Sequence, residues 1–336
     1  MNFNFLLNNY SGKNILITGG TGLIGRQVVE YLSDIDCNIK VVSLDKFEII
    51  PSGKKANINK IYGDLCDFNF CKEITNDIDF VFHIAGVKGS IDVTKKKPAS
   101  FFVPLLMMNT NILESSRINK CEKLLYTSSI GAYHPAEIFK EEDHDESIPP
   151  MDFYPGWAKR MAELQVQTYK IQYGLNNFSI VRPCNVYGPG DNFDKKNAMV
   201  IPSLIARAVE GENPMIIWGD GSAVRDFAYS KDIAMGVLKT LISGTDSFDF
   251  LNLGSGIGVT LKDLVAILSK IMGFDYKFDP SKPSGFPKRV MDIKNINKIN
   301  GYAPIYSLEM GLKETVDWYK SNIEESNLRN NYFNEN

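Results

Sequence analysis

An α/β fold, a doubly wound parallel sheet joined to a smaller mixed α/β lobe, is what this sequence predicts. Three observations carry the expectation. Short β-branched runs alternate with amphipathic stretches over residues 14–181, and a glycine-rich segment directly follows the first of those runs. Pro and Gly then become denser through Arg182-Pro183 and Tyr187-Gly188-Pro189-Gly190, where a second lobe begins. Apolar strands separated by helices imply a parallel sheet covered on both faces.

Taken in order, Asn14–Thr18 reads as the first strand, followed by a helical pattern through Val28, Val29 and Leu32. The next strands are 39–44 and 80–84, then a helix across 105–116 leads to the strand Lys123–Thr127. A long helix with apolar positions at Met161, Leu164, Val166 and Tyr169 precedes the strand at 178–181. Further helices are expected near 201–210 and 261–271, and residues 228–241 can return to pack on the first domain. This divides the chain into a dinucleotide-binding domain (1–182) and a substrate lobe (183–325), with a segment near 226–253 returning to the first. The Asn-rich stretch 326–336 is expected to be a frayed tail.

Composition excludes several classes. The chain has 336 residues, 44% hydrophobic and 23% charged, which is ordinary globular usage rather than disorder or fibre. Its net charge is -3, and the basic run Lys95-Lys96-Lys97 is too short to mark a nucleic-acid-binding face. No apolar run approaches the roughly 18 residues of a membrane helix, and the N-terminus lacks a basic, then apolar, leader pattern. A cytoplasmic protein without membrane or nucleic-acid partners is expected. Its five cysteines (Cys37, Cys66, Cys71, Cys121, Cys184) form no C-x-x-C pair, and its three histidines have no carboxylate at ligand spacing, so neither disulfides nor a metal is expected.

The first site is glycine-rich. Thr18-Gly19-Gly20-Thr21-Gly22-Leu23-Ile24-Gly25 lies between a strand and a helix. Glycine there lets the backbone turn tightly and lets a pyrophosphate approach the helix N-terminus. Gly19, Gly22, Leu23, Ile24 and Gly25 are therefore assigned to a dinucleotide. Asp45 closes the second strand twenty positions after Gly25, where a carboxylate binds ribose hydroxyls and repels a 2'-phosphate, favouring NAD over NADP. Asp64 and Leu65, after the third strand, are candidates for the adenine side.

A set of segments extends this reading along the chain: His83-Ile84-Ala85-Gly86, Ser128-Ser129, Ala158-Lys159-Arg160-Met161, and Asn185 to Phe193. To these are added Val200-Ile201-Pro202, Trp218-Gly219-Asp220-Gly221, Arg225-Asp226-Phe227 and Ser281-Lys282-Pro283-Ser284-Gly285. Together they resemble the extended short-chain dehydrogenase/reductase superfamily of nucleotide-sugar epimerases, dehydratases and reductases, most of all its GDP-L-fucose synthase group. The resemblance runs from about Lys13 to Tyr319. It implies NAD contacts at His83, Ala85 and Lys159, and a catalytic Ser, Tyr and Lys. In such a set the tyrosine moves a proton and the lysine lowers its pKa. Ser129, with Ser128 beside it, is assigned the serine role, and Lys159 the lysine role.

The tyrosine is where the sequence departs. Four residues before Lys159 stands Pro155, and the adjacent Tyr154 would lie about 140° from Lys159 in a regular helix. Three readings stay open. Pro155 suits the first helical position, which would leave Tyr154 just outside the helix and free to aim inward. Alternatively Tyr133, His134 or Asp152 substitutes, or the acid/base position is empty and the chain is a weakly catalytic NAD and sugar-nucleotide binding protein.

Other departures bear on the reaction. The Cys and His that the fucose-synthase group is expected to use for inverting carbons correspond to Ile130 (or Gly131) and Met199, which transfer no protons. A dehydratase's Asp-Glu pair is also missing after Ser129. What remains is hydride transfer at C4 of a GDP-linked hexose, deoxyhexose or heptose, by a 4-dehydrogenase or 4-epimerase, with a 4-keto-6-deoxy-sugar 4-reductase as the alternative. Asn185 can hold the sugar or first phosphate, and Arg225 a diphosphate. By resemblance Val200, Trp218 and Lys282 line the GDP side, and a homodimer forms through helices at 109–116 and 159–171.

Overall fold

In a computed structural model, which describes residues 3–46, 49–87, 89 and 91–329, the alternation read from the sequence becomes a layered molecule. The first half runs through α1 (Phe3–Tyr10), β1 (Asn14–Thr18), α2 (Gly25–Leu32), β2 (Asn38–Ser43), β3 (Asn57–Tyr62), α3 (Phe68–Ile74), β4 (Phe80–His83), α4 (Ile91–Lys96), α5 (Pro98–Ile118), β5 (Lys123–Thr127), β6 (Ile138–Phe139), α6 (Phe153–Tyr173) and β7 (Phe178–Pro183). The second half holds β8 (Asn185–Tyr187), α7 (Val200–Val209), β9 (Met215–Trp218), β10 (Val224–Tyr229), α8 (Ser230–Ser243), β11 (Leu251–Leu253), β12 (Gly258–Thr260), α9 (Leu261–Met272), β13 (Tyr276–Asp279), β14 (Lys288–Met291), α10 (Lys294–Asn300), α11 (Leu308–Ser321) and α12 (Ile323–Asn327).

Seven parallel strands form the main sheet in the order β11-β7-β5-β4-β1-β2-β3. Strand order reverses between β1 and β4, and open α/β sheets bind ligands in the crevice outside the carboxyl ends at such a point. Helices α2 and α8 pack together, as do α3, α5 and α6, so two helical layers cover the sheet. The core strands are buried throughout: Ile15, Leu16 and Ile17 of β1 are sealed between these layers, which is why the run needs no polar face. Helix α8 and β11 come from the second half of the chain and complete this core, whereas β10 joins the smaller sheet and lends only Ala228 to it.

The smaller lobe is a sheet in the order β12-β10-β14-β6, with β8 also paired to β10, and a separate parallel pair β13-β9. Strand β6 comes from the first half, so the lobes are stitched together in both directions. Ile201, Leu204 and Ile205 of α7 pack with Leu264, Leu268, Leu312 and Val316 in a second core.

Two terminal features depart from sequence expectation. The N-terminal apolar run is helix α1, whose Leu6 and Tyr10 are buried and whose Tyr10 hydroxyl donates to the Leu238 carbonyl at 2.7 Å. Of the tail placed at 326–336, residues 330–336 lie outside the described residues, while Ser326 and Asn327 complete α12 and Arg329 bonds back to Thr21. Among the described residues no helix is long and apolar enough to cross a membrane, and no cluster of His, Cys, Asp and Glu could hold a metal.

Candidate active site

The crevice at the ends of β1 and β4 is shaped first by glycine. Gly19 has φ +69°, and a Cβ there would come within 2.8 Å of the Ala85 Cα at the end of β4. A Cβ at Gly25 would collide with the Gly19 carbonyl, so the N-terminus of α2 can close onto the loop only as glycine. The amide of Gly22 donates to Gly19 O, and that of Arg26 to Gly22 O, leaving Leu23, Ile24 and Gly25 as the amides a helix N-terminus presents. Such amides bind phosphate. Asp45 stands just past β2, accepting a 2.5 Å bond from the Thr21 hydroxyl. A tight glycine cradle below amides and a carboxylate at the adjoining strand fit a dinucleotide.

His83 is a correction. Its ring is fully buried and cannot touch a cofactor. It lies in a chain in which Thr18 Oγ1 bonds Nδ1 at 2.8 Å and Asn109 Oδ1 bonds Nε2 at 2.9 Å, with the Asn109 amide donating to the Tyr126 hydroxyl. Burial, with Lys159 nearby, lowers its pKa to about 3, so the ring is neutral. Thr18 Oγ1 also accepts from the amides of Ile84 and Ala85, so the chain aligns the ends of β1 and β4. Asp64 is exposed after β3 and accepts from the Cys66 amide, while the Leu65 side chain is buried and its carbonyl is held by Asn111.

Lys159 of α6 reaches the crevice floor. Its ammonium donates to the Thr127 carbonyl at 2.7 Å, lies 4.9 Å from the Tyr126 ring centre, and stands beside Gly86. Desolvation lowers its pKa to about 8, opposed by the carboxylate of Glu163. The two serines divide. Ser128 is buried and its hydroxyl donates to Glu163, which removes it from any substrate role. Ser129 is partly exposed and its Oγ accepts from the Gly131 amide at 3.0 Å, leaving its proton free to donate into the crevice. Glu163 in turn accepts from Arg182 Nε at 2.9 Å and Nη2 at 2.6 Å, a buried ion pair in which Arg182 is sandwiched between Tyr133 and Phe250.

The displaced helix start is also corrected. Helix α6 begins at Phe153, so Tyr154 and Pro155 stand within its first turn, where a proline costs no intrahelical hydrogen bond. Tyr154 therefore keeps its angular offset from Lys159. Its ring is 45% exposed, edge-on to Phe153, and lines an apolar groove of about 490 Å³ with Phe102, Val103, Trp157 and Met161. Two of the substitutes are tied elsewhere. The Tyr133 hydroxyl donates to Asn252 Oδ1 at 2.8 Å inside the core, and His134 Nδ1 accepts from the Asp145 amide.

Asp152 is placed differently. It is the N-cap residue of α6, with non-helical φ -99° and ψ 80°, seven residues before Lys159. Its carboxylate lies over Gly131, where a Cβ would collide with Oδ2, and so next to the Ser129 turn. Its Oδ1 is 3.7 Å from Arg289 Nη2.

That arginine was missed by the sequence reading. Arg225 and Arg289 are register partners on β10 and β14, so two guanidiniums stand side by side. Burial and Arg289 lower the pKa of Arg225 to about 10. Asp226 does not neutralise Arg225, because it is buried and accepts instead from the Ser255 amide and hydroxyl and from the Gly256 and Met291 amides. Adjacent guanidiniums without an equal number of carboxylates are an arrangement that suits a doubly charged anion. Lys288-Arg289 leading into Val290-Met291 was the available signal, a basic pair entering an apolar run.

The remaining substrate candidates rim this lobe. Asn185 donates to the Asp226 carbonyl at 3.1 Å, Val200 opens α7, and Lys282 follows the end of β13. Trp218 pairs in register with Asp279 and is 62% exposed, a flat apolar surface suited to stacking.

The chain is similar to known proteins over most of its length. Residues 15–254 match the family described as the NAD dependent epimerase/dehydratase family. The chain is 30% identical to a GDP-L-fucose synthase of Sinorhizobium fredii over 93% of this chain and 97% of that one. It is 28% identical to a dTDP-4-dehydro-6-deoxy-D-allose reductase of a Streptomyces species, over 93% and 97%. The structure of a UDP-glucose 4-epimerase from Thermotoga maritima, with UDP-glucose, superposes with a TM-score of 0.78 at 28% identity, covering 92% of this chain and 99% of that one.

Proposed function

This chain belongs to the NAD dependent epimerase/dehydratase family, and on that premise we propose that it transfers a hydride at C4 of a GDP-linked hexose, deoxyhexose or heptose. The observation that carries the reading is the paired Arg225 and Arg289 with the Asp152 carboxylate 3.7 Å from Arg289 Nη2, a pair of cations suited to a diphosphate beside a group able to accept a proton. The GDP preference rests on similarity to the GDP-L-fucose synthase of Sinorhizobium fredii.

NAD, when bound, supplies the acceptor for the hydride. Gly19, Gly22 and the amides of Leu23, Ile24 and Gly25 would hold its pyrophosphate, Asp45 its adenosine ribose, and Lys159 the nicotinamide end. Trp218 stacks on the base while Arg225 and Arg289 grip the diphosphate. Ser129 donates its hydroxyl proton to the substrate oxygen and orients it. Asp152 takes the proton of the C4 hydroxyl as the C4–H bond breaks, so that the alcohol becomes a ketone and the proton stays on the enzyme. Returning that proton on the reverse step completes a reduction.

The lysine ties rate to pH. An ammonium whose pKa has fallen to about 8 is charged below that value and is lost as pH rises through it. Turnover is expected to fall on the alkaline side with a midpoint near 8, and the limb should vanish in Lys159→Met, whose residual rate is flat over the same range. A homodimer through α5 and α6 belongs to the same proposal. Val103, Met107, Phe153 and Met161 are exposed apolar groups on those helices, a surface that a second copy would cover.

The deciding experiment denatures the purified protein to identify released dinucleotide and follows absorbance at 340 nm with GDP-, UDP-, dTDP- and CDP-sugars. Released NAD(H) with reduction by a GDP-sugar is the expected result. Oxidation of reduced cofactor only by a 4-keto sugar would replace the reading with a reductase, and binding without redox change would replace it with a binding protein.

A further inference from the structure

The last described residues of the chain reach the adenosine end of the dinucleotide cradle. Arg26, the residue after Gly25, is buried, pairs with Glu325 of α12, and lies 4.9 Å from the Trp318 ring of α11. Four residues past Glu325, Arg329 Nη2 donates to the Thr21 carbonyl at 2.9 Å. The same Thr21 donates its hydroxyl to Asp45 Oδ2 at 2.5 Å, and Asp45 is also 3.4 Å from the Ser43 hydroxyl. One loop residue thus carries a guanidinium on its carbonyl and a carboxylate on its hydroxyl. The charged groups acting on Arg329 are Asp45 first, then Arg26, Asp191 and Glu325.

We propose that Arg329 is a specificity-determining residue of the dinucleotide site, offsetting at the ribose 2'-position the discrimination that Asp45 imposes. A lone carboxylate there repels a 2'-phosphate, which carries close to two negative charges. A guanidinium held beside it cancels much of that field and is a strong phosphate partner itself. The fixed bond to Thr21 O orients the guanidinium without consuming it, because an arginine has five N–H donors. The chain therefore accepts a 2'-phosphorylated dinucleotide alongside NAD, and the tolerance comes from the C-terminal segment rather than from the strand that carries Asp45.

The test is binding of NADH and NADPH to the full chain, read by fluorescence and calorimetry, which needs no sugar substrate. Arg329→Gln is expected to weaken NADPH by about tenfold, with NADH changed less than about threefold, as the loss of one charge-assisted contact implies. Arg329→Lys keeps the charge and should retain a large part of NADPH binding. Asp45→Asn should improve NADPH binding, and the same substitution should gain more when Arg329 is already Gln, since the carboxylate's repulsion is then no longer offset. Equal weakening of both dinucleotides in Arg329→Gln would reduce the residue to a clasp on the loop and overturn the proposal, as would additive effects of the two substitutions.

Discussion

Asp152→Asn is expected to lower turnover of the active GDP-sugar by roughly 10²- to 10⁴-fold, the range for removing a positioned acid/base, while Tyr154→Phe stays within about threefold of wild type. The contrast follows from helix α6. Lys159 is anchored on the Thr127 carbonyl, which fixes the helix face turned to the crevice. One turn earlier on that face lies Pro155, which carries no proton, and Asp152 caps the helix just before its first residue. Its carboxylate lies over Gly131, beside the turn that Ser129 caps. A carboxylate needs no neighbouring cation to accept a proton at neutral pH, whereas a phenol does. Tyr154 meanwhile lines an apolar groove with Phe102 and Met161. Both variants should bind NADH as wild type does, which separates a lost proton acceptor from a damaged cofactor site. A collapse of turnover in Tyr154→Phe with Asp152→Asn near normal would return the role to the phenol.

Which parts of this site the sequence could disclose depends on how far each contact reaches along the chain. The glycine loop, Asp45 and the face of Lys159 are local: strand, turn and helix are consecutive, and their chemistry follows from spacing. Ser128 and Ser129 are neighbours with opposite fates, because extended backbone points successive side chains to opposite sides and only one side faces the crevice. Their order in the chain could not say which. His83 looked like a ligand because it ends a strand at the crevice, but Asn109 on α5 claims its ring, a contact made by packing of distant elements. Arg289 became visible only through the register of β14 against β10, and Arg329 only through a bond spanning almost the whole chain. The helix start at Phe153 was misread because proline is tolerated at several first-turn positions, whose N–H groups have no intrahelical partner to lose.

Arg182→Ala is expected to destabilise the protein by about 3–5 kcal/mol in denaturant unfolding, the cost of stranding one member of a buried ion pair. Arg182 is fully buried on β7 between Tyr133 and Phe250, and its loss would take from the Glu163 carboxylate both guanidinium hydrogen bonds and leave the Ser128 hydroxyl donating to it. Replacing both charges together, as Glu163→Leu with Arg182→Met, should recover much of that loss, because no unpaired charge remains. Catalysis separates the partners further. Glu163 holds the pKa of Lys159 up against desolvation, so neutralising it with Glu163→Gln removes the opposing influence and lets the pKa fall further. The alkaline limb of the rate should then move to lower pH than in wild type, while Arg182→Ala, which keeps the carboxylate, should not move it in that direction. A structural pair with no hold on the lysine would leave the limb where it is in both variants. A limb displaced by Glu163→Gln alone would instead mean that the carboxylate that fastens β7 to α6 also holds the charge of the ammonium at the crevice floor, with or without its arginine.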